Sequence, residues 1–302
     1  MSDPMLSYPM LPIPATGEVL LIATCYEDDS ALWNEVLDSL GGCREGDALV
    51  LGDGGVRLRP LENPRWAELR GGNFPALAPA ESGAPVVALA DIDAVYGGSG
   101  VLLVDLREVP GRGVRILPDS LERVLAGLLA GSVRFDELVL GMDRFGIYEG
   151  DCGEQATPTP TAVIRTSFPG LPACESTLLV RTDFSDPEGW LALLLGLGGA
   201  DEDDYTGASF YPDDPPDLHA LVVEDRAFES LQPGQVPALV PPGPDTTMVA
   251  LADATTMADP ARPLLVVDIY GTPGQAVRIP AAEAGSMAIN LQISNMDFGD
   301  FA

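Results

Sequence analysis

The chain has 302 residues, enough for two domains that each bury a core, and carries 16 basic against 46 acidic side chains for a net charge of −30. All the cations are Arg, which excludes lysine chemistry, and the single histidine, His219, excludes paired-His metal sites. A surface this acidic repels phosphate backbones and anionic lipid, which argues against nucleic-acid binding through a basic footprint.

Residues 1–19 contain no Lys or Arg and are interrupted by Pro4, Pro9, Pro12 and Pro14, so a loose, extended arm is expected in place of a secretory signal. The first module, residues 20–150, opens on the apolar run Leu20-Leu21-Ile22-Ala23. An acidic cap at Asp28, an apolar run around Trp33 and a Gly41-Gly42 stop follow. Gly97-Gly98-Ser99-Gly100 falls between two predicted strands with no helix opening after it, and reads as a turn, not as a phosphate cradle. Asp119–Ala130 predicts a helix. Residues 151–173 include Thr157-Pro158-Thr159-Pro160-Thr161 and read as a linker.

In the second module, residues 174–302, the continuous run Leu178–Thr182 predicts a strand buried on both faces. Asp186 is a good N-cap with Pro187 behind it, and Gly198-Gly199 a good stop, so residues 187–197 are expected to be helical. Strands are predicted at His219–Val223 and Met248–Ala252, and a hairpin over Leu264–Tyr270 and Ala276–Ile279 turning at Gly271-Thr272-Pro273-Gly274. A helical segment closes the chain. No stretch is apolar enough to cross a bilayer, Trp190–Ala200 being the longest candidate, so a cytoplasmic protein without membrane association is expected. Cys25, Cys43, Cys152 and Cys174 show no C-x-x-C spacing and are expected to be free, mostly buried thiols.

The chain repeats itself. Leu20–Tyr26 recurs as Leu178–Phe184, and Trp66–Asp91 matches Phe228–Asp253 without a gap, sharing Pro-Ala-Leu-x-Pro and Ala-Leu-Ala-Asp. Val104–Ile116 then matches Val267–Ile279, and Met142-Asp143 parallels Met296-Asp297. Four blocks in one order mean a duplicated module. The expected fold class is α/β: two tandem copies of a mixed-sheet α/β module with helices packed on the sheet. Thr24 should superpose on Thr182, Asp91 on Asp253 and Arg115 on Arg278, with Trp33 and Trp190 on buried faces of equivalent helices.

The second copy, through Leu178–Phe184, Leu264–Asp268, Asn290-Leu291 and the closing Asn295-Met296-Asp297-Phe298-Gly299-Asp300-Phe301-Ala302, resembles the actinobacterial family described as domain of unknown function 6924. The first copy resembles it less closely. Cys25 stands where the second has Asp183, and Gly141-Met142-Asp143-Arg144-Phe145 replaces the closing motif. The resemblance implies module boundaries and no activity.

Two classes of function follow from the residues. Asp183, Asp253 and Asp268 sit at predicted strand ends, with Asp297 in the closing motif, where carboxylates could hold a hard cation in a metal-dependent hydrolase or transferase. The bland use of such residues is to cap turns and helices. Asp105 with Arg115, and Asp268 with Arg278, keep one spacing in both modules and are expected to pair across a hairpin, with Arg278 the alternative anion-holding residue. The other class is a non-enzymatic interaction protein, of inhibitor, immunity or scaffold type, whose acidic tracts dock a protein with a basic surface. Those tracts are Asp201-Glu202-Asp203-Asp204 followed by Asp213, Asp214 and Asp217. The sequence favours this second class, with no cofactor, no metal and no catalytic residue assigned.

Overall fold

The computed structural model describes residues 8–25, 30–52, 55–67, 69–150, 165–207, 218–243 and 246–302. The first module runs β1 (Glu18–Ala23), α1 (Ser30–Ser39), β2 (Cys43–Glu45), β3 (Ala48–Leu51), β4 (Val56–Glu62), β5 (Val86–Ala90), β6 (Val101–Asp105), β7 (Gly113–Ile116), α2 (Pro118–Ala130) and α3 (Phe135–Leu140). The second runs β8 (Thr177–Arg181), α4 (Pro187–Gly196), β9 (Tyr205–Thr206), β10 (Ala220–Val223), β11 (Met248–Ala252), α5 (Ala254–Ala258), β12 (Leu264–Asp268), β13 (Ala276–Ile279) and α6 (Ala284–Gln292).

Each module builds one mixed sheet. The strand orders are β2-β3-β4-β1-β5-β6-β7 and β13-β12-β11-β8-β10-β9, the same arrangement apart from the extra edge strand β2. Registers agree as well. Leu21 lies opposite Ala88 and Leu179 opposite Ala250 in the central parallel pairs, and Leu102 opposite Arg115 as Leu265 is opposite Arg278 in the hairpins. The modules therefore superpose as the offsets predict: Thr24 N donates to Ala90 O at 3.1 Å and Thr182 N to Ala252 O at 3.0 Å.

Alternate residues of the central strands enter different cores. Leu21 joins one cluster with Trp33 and Leu103, while Leu20 and Ile22 join another with Trp66 and Phe74 on the opposite face. Leu179 packs with Trp190 and Met287, whereas Leu178 and Val180 pack with Phe228 and Val236. Burial on both faces is why these strands read as unbroken apolar runs. Asp186 caps α4 by accepting Gly189 N–H at 2.9 Å, and both tryptophans are buried. Trp190 also donates its indole N–H to Glu224 at 2.8 Å.

Two expectations need correction, and two short elements go unpredicted. The N-terminal arm is tied down from Pro9 to Leu11, because Trp66 donates to Pro9 O at 3.0 Å and the buried Leu11 donates its N–H to Leu77 O at 2.9 Å. Of the described cysteines, only Cys174 is buried; Cys43 is exposed on an edge strand and Cys25 is half-buried. Neither β9 nor α5 is announced by sequence pattern, since each is too short to show a period.

Candidate functional site

The parallel strands β4-β1-β5 and β10-β8-β11 end on the same edge of their sheets, where open α/β folds place ligands. In the second module the strand-end carboxylates found there are engaged by the protein. Asp183 accepts Ser185 N–H at 2.9 Å and the Ser185 hydroxyl. Asp253 caps α5, taking Thr256 N–H at 2.9 Å and its hydroxyl at 3.0 Å, and receives a two-pronged contact from Arg278 at 3.0 and 2.6 Å. Asp268, at the end of β12 on the opposite edge, folds the hairpin turn around itself by accepting N–H groups of Tyr270 at 2.7 Å, Gly271 at 3.2 Å and Thr272 at 2.6 Å. Asp297 donates its backbone N–H to Asp300 at 3.0 Å. Among the described residues, no group of three or more His, Cys, Asp or Glu side chains is placed to hold a metal ion.

The expected hairpin pairs, Asp105 with Arg115 and Asp268 with Arg278, do not form. Their register puts Leu102 and Leu265 opposite the arginines, three residues short of the aspartates. Each guanidinium instead reaches the end of the next strand over. Arg115 grips Asp91 at 3.1 and 2.8 Å as Arg278 grips Asp253. Asp105 takes Arg107, Glu108 and Val109 N–H groups, and its charge is met by Arg112 at 3.2 Å. Where the first copy has Arg112 the second has Gln275, so Asp268 lacks the arginine that its counterpart Asp105 has from its own module.

The modules meet around Arg115. Its side chain donates to Asp93 at 2.5 Å and, across the junction, to Gly271 O at 2.6 Å. Gly113 N–H donates to Pro273 O at 2.7 Å, Asn73 to Val240 O at 2.9 Å and Gln275 to Arg144 O at 2.6 Å. Arg70 donates to Thr246 O and lies 5.8 Å from the Tyr270 ring centre. Burial raises the Asp93 carboxyl above its ordinary value, Arg115 opposes this, and Asp91, Asp268 and Asp297 push it further up. Burial also raises Asp268, outweighing Thr272, Tyr270 and Gly271 N–H groups and the charge of Arg115. Asp253 goes the other way: burial would raise it, but Arg278 and Thr256 together bring it below the usual range.

The structure thus separates the proposed ligand set. Asp268 and Asp297 come close enough to Asp93 of the first module to affect its charge, whereas Asp253 and Arg278 form their own pair. Sequence reasoning missed Asp93, Arg70 and Tyr270 altogether. The signal for the true pair was present, since Asp91 and Arg115 recur at nearly the spacing of Asp253 and Arg278. Asp201, Glu202, Asp203 and Asp204 form an exposed hairpin turn in which Asp201 accepts N–H from Asp203 at 2.9 Å and Tyr205 at 2.8 Å. Asp213, Asp214 and Asp217 lie outside the described residues. His219 is exposed beside β10, stacked on Tyr205 with ring centres 4.9 Å apart.

A family model described as a domain of unknown function (DUF6924) matches residues 18–151 and again residues 176–302. No curated protein and no solved structure matches the chain. Among the described residues, no helix is long and apolar enough to cross a membrane.

Proposed function

The chain belongs to the family DUF6924, twice over, and since that description assigns no activity we propose from the residues themselves a non-enzymatic cytoplasmic protein that binds a basic protein partner. One observation carries this reading: folding leaves the excess of acidic over basic side chains on the surface. Arg112, Arg115 and Arg181 are buried, and Arg278 is committed to Asp253. Among the described residues the three buried arginines are matched by the buried Glu18, Asp105 and Asp268, so what faces solvent keeps the negative excess of the composition, and the second half, with 23 acidic and 5 basic residues, is the more negative half. Such a field attracts cationic proteins and speeds their association. The strand-end carboxylates that a metal-dependent hydrolase or transferase would use already have backbone or Arg partners, which supports a structural use for them. Free thiols at Cys25, Cys43 and Cys174 fit a reducing compartment.

The test is titration of the protein with a fluorescent oligoarginine peptide at ~0.15 M salt, where exposed charges are screened beyond about 8 Å. Saturable binding that weakens steeply with added salt is expected. Absence of saturable binding, or a saturable rise in melting temperature with Mg²⁺ that Asp268→Asn abolishes, overturns the reading in favour of the metal-dependent one.

A further inference from the structure

The two copies of the module disagree at one surface. Aligning α1 with α4 on Trp33 and Trp190 brings Gly41-Gly42 onto Gly198-Gly199 with no gap. The inward positions then match: Trp33, Val36 and Leu40 are buried, as are Trp190, Leu193 and Leu197. The outward positions also match in exposure but not in chemistry. The first module carries Asn34, Glu35, Asp38 and Ser39, whereas the second carries Leu191, Ala192, Leu195 and Gly196. Leu191 is 58% exposed and Leu195 68% exposed. The fold does not need leucine at these positions, because its other copy folds with polar side chains there. Two leucines four residues apart on one helix face form a ridge of the kind that packs against another helix.

The hairpin after the helix diverges in the same direction. In the first module Glu45 is paired with Arg57 at 3.0 Å and Asp47 with Arg59 at 3.8 Å, both arginines lying on β4. The strand registers place His219 and Leu221 of the second module where Arg57 and Arg59 stand in the first. Asp201, Glu202, Asp203 and Asp204 consequently form no ion pair among the described residues. They follow the last residue of α4, Gly196, in the turn that leads into β9.

We propose that the outer face of α4, with the Asp201–Asp204 turn beyond it, is the docking surface for the basic partner, and that it receives a basic amphipathic helix of that partner. Leu191 and Leu195 take its apolar ridge and the turn takes its Arg or Lys side chains. A second copy of this chain is the wrong occupant, because each copy carries −30 and a two-fold contact would set like-charged surfaces against one another. The proposal rests on the acidic-binding reading above and adds its location.

Two probes separate the two statements: an amphipathic helical peptide of Leu and Arg, and an oligoarginine peptide of equal charge. They are titrated into the full chain and into the Leu191→Asn, Leu195→Asn double variant, which leaves the charge unchanged and imitates the polar face of α1. The amphipathic peptide is expected to bind at least ~10-fold more tightly than oligoarginine and to lose that advantage in the variant. Replacing Asp201, Asp203 and Asp204 by Asn and Glu202 by Gln is expected to weaken both peptides, and serves as the second variant should the first fail to fold. If the amphipathic peptide keeps its advantage in the leucine variant, or both peptides bind the acid variant as they bind the parent, the location is overturned and the acidic-binding reading stands. If neither peptide binds the parent saturably, both fall. A concentration-dependent dimer in sedimentation that the leucine variant abolishes overturns the cationic occupant in favour of a second copy.

Discussion

Arg115 with Asp91 and Arg278 with Asp253 are the same contact made twice, and their surroundings differ. Both are two-pronged guanidinium–carboxylate pairs from the last strand of the sheet to the end of the central antiparallel pair. The first is buried, its side chains 3% and 17% exposed, against 26% and 24% for the second. At the junction the first pair has also acquired Asp93, the Gly271 carbonyl and the nearby charges of Asp268 and Asp297. The pair belongs to the architecture of the module, and docking two modules turned one copy of it into a shared centre with more carboxylates than cations.

The comparison can be broken by removing each arginine in turn. Arg115→Ala should cost about 3–5 kcal/mol, because it removes a fully buried guanidinium that serves Asp91, Asp93 and the Gly271 carbonyl beside the buried Asp268, while Arg278→Ala should cost about 1–3 kcal/mol, since the half-buried Arg278 serves one carboxylate. Equal losses in urea melts would show that burial at the junction is energetically irrelevant. Trp190→Ala should fall in the upper range, about 3–5 kcal/mol, as expected for a buried indole. A smaller loss, about 1–3 kcal/mol, is expected for Gly72→Ala, because a Cβ there would overlap the Pro237 carbonyl and wedge the modules apart.

Acid should sharpen the contrast. Asp93 and Asp268 titrate above their ordinary value of 3.8, so the folded protein binds their protons more readily than the unfolded chain does. Their contribution is fully present below the unfolded pKa and is lost as pH rises through the folded one. Asp253 titrates below 3.8, so its contribution is present above the unfolded pKa and is lost as pH falls through the folded one. Lowering the pH from neutral should first strengthen the junction and then weaken the Asp253–Arg278 pair. Melting temperature against pH checks this: Asp93→Asn should show less gain on mild acidification, and Asp253→Asn less loss at the acid end. An Asp93→Asn profile identical to the parent would remove Asp93 from the account. The smallest effect is expected from divalent cations. Millimolar Mg²⁺ or Ca²⁺ should move the melting temperature no more than matched ionic strength does.

Much of the fold could be read because its signals are local or repeated. The buried central strands, the Asp186 cap with Pro187, the hairpin at Gly271–Gly274 and the helix near Asp119 each rest on a few adjacent residues. The site was less legible. The invariant spacing of Asp105 and Arg115 suggested a pair, but partners in a sheet are chosen by register and by which face a side chain takes. Three residues of displacement sent Arg115 past Asp105 to Asp91. Tyr270 and Arg70 carry no local signal, because their meeting depends on how one module sits on the other.

By itself the sequence determined the duplication, the α/β class of each module and the excess of negative charge, since these follow from periodicity, repetition and counting. The polar substitutions on α1 and the leucines on α4 were equally visible in it, but not which way either helix faced. Tertiary structure alone decided that the leucines point outward, that Arg115 rather than Arg278 became the shared cation, and that Asp268 lies buried beside the partner module. Each of these depends on burial, and burial is a property of the packed chain as a whole: a carboxylate's pKa and a leucine's exposure are set by neighbours that lie far away along the sequence.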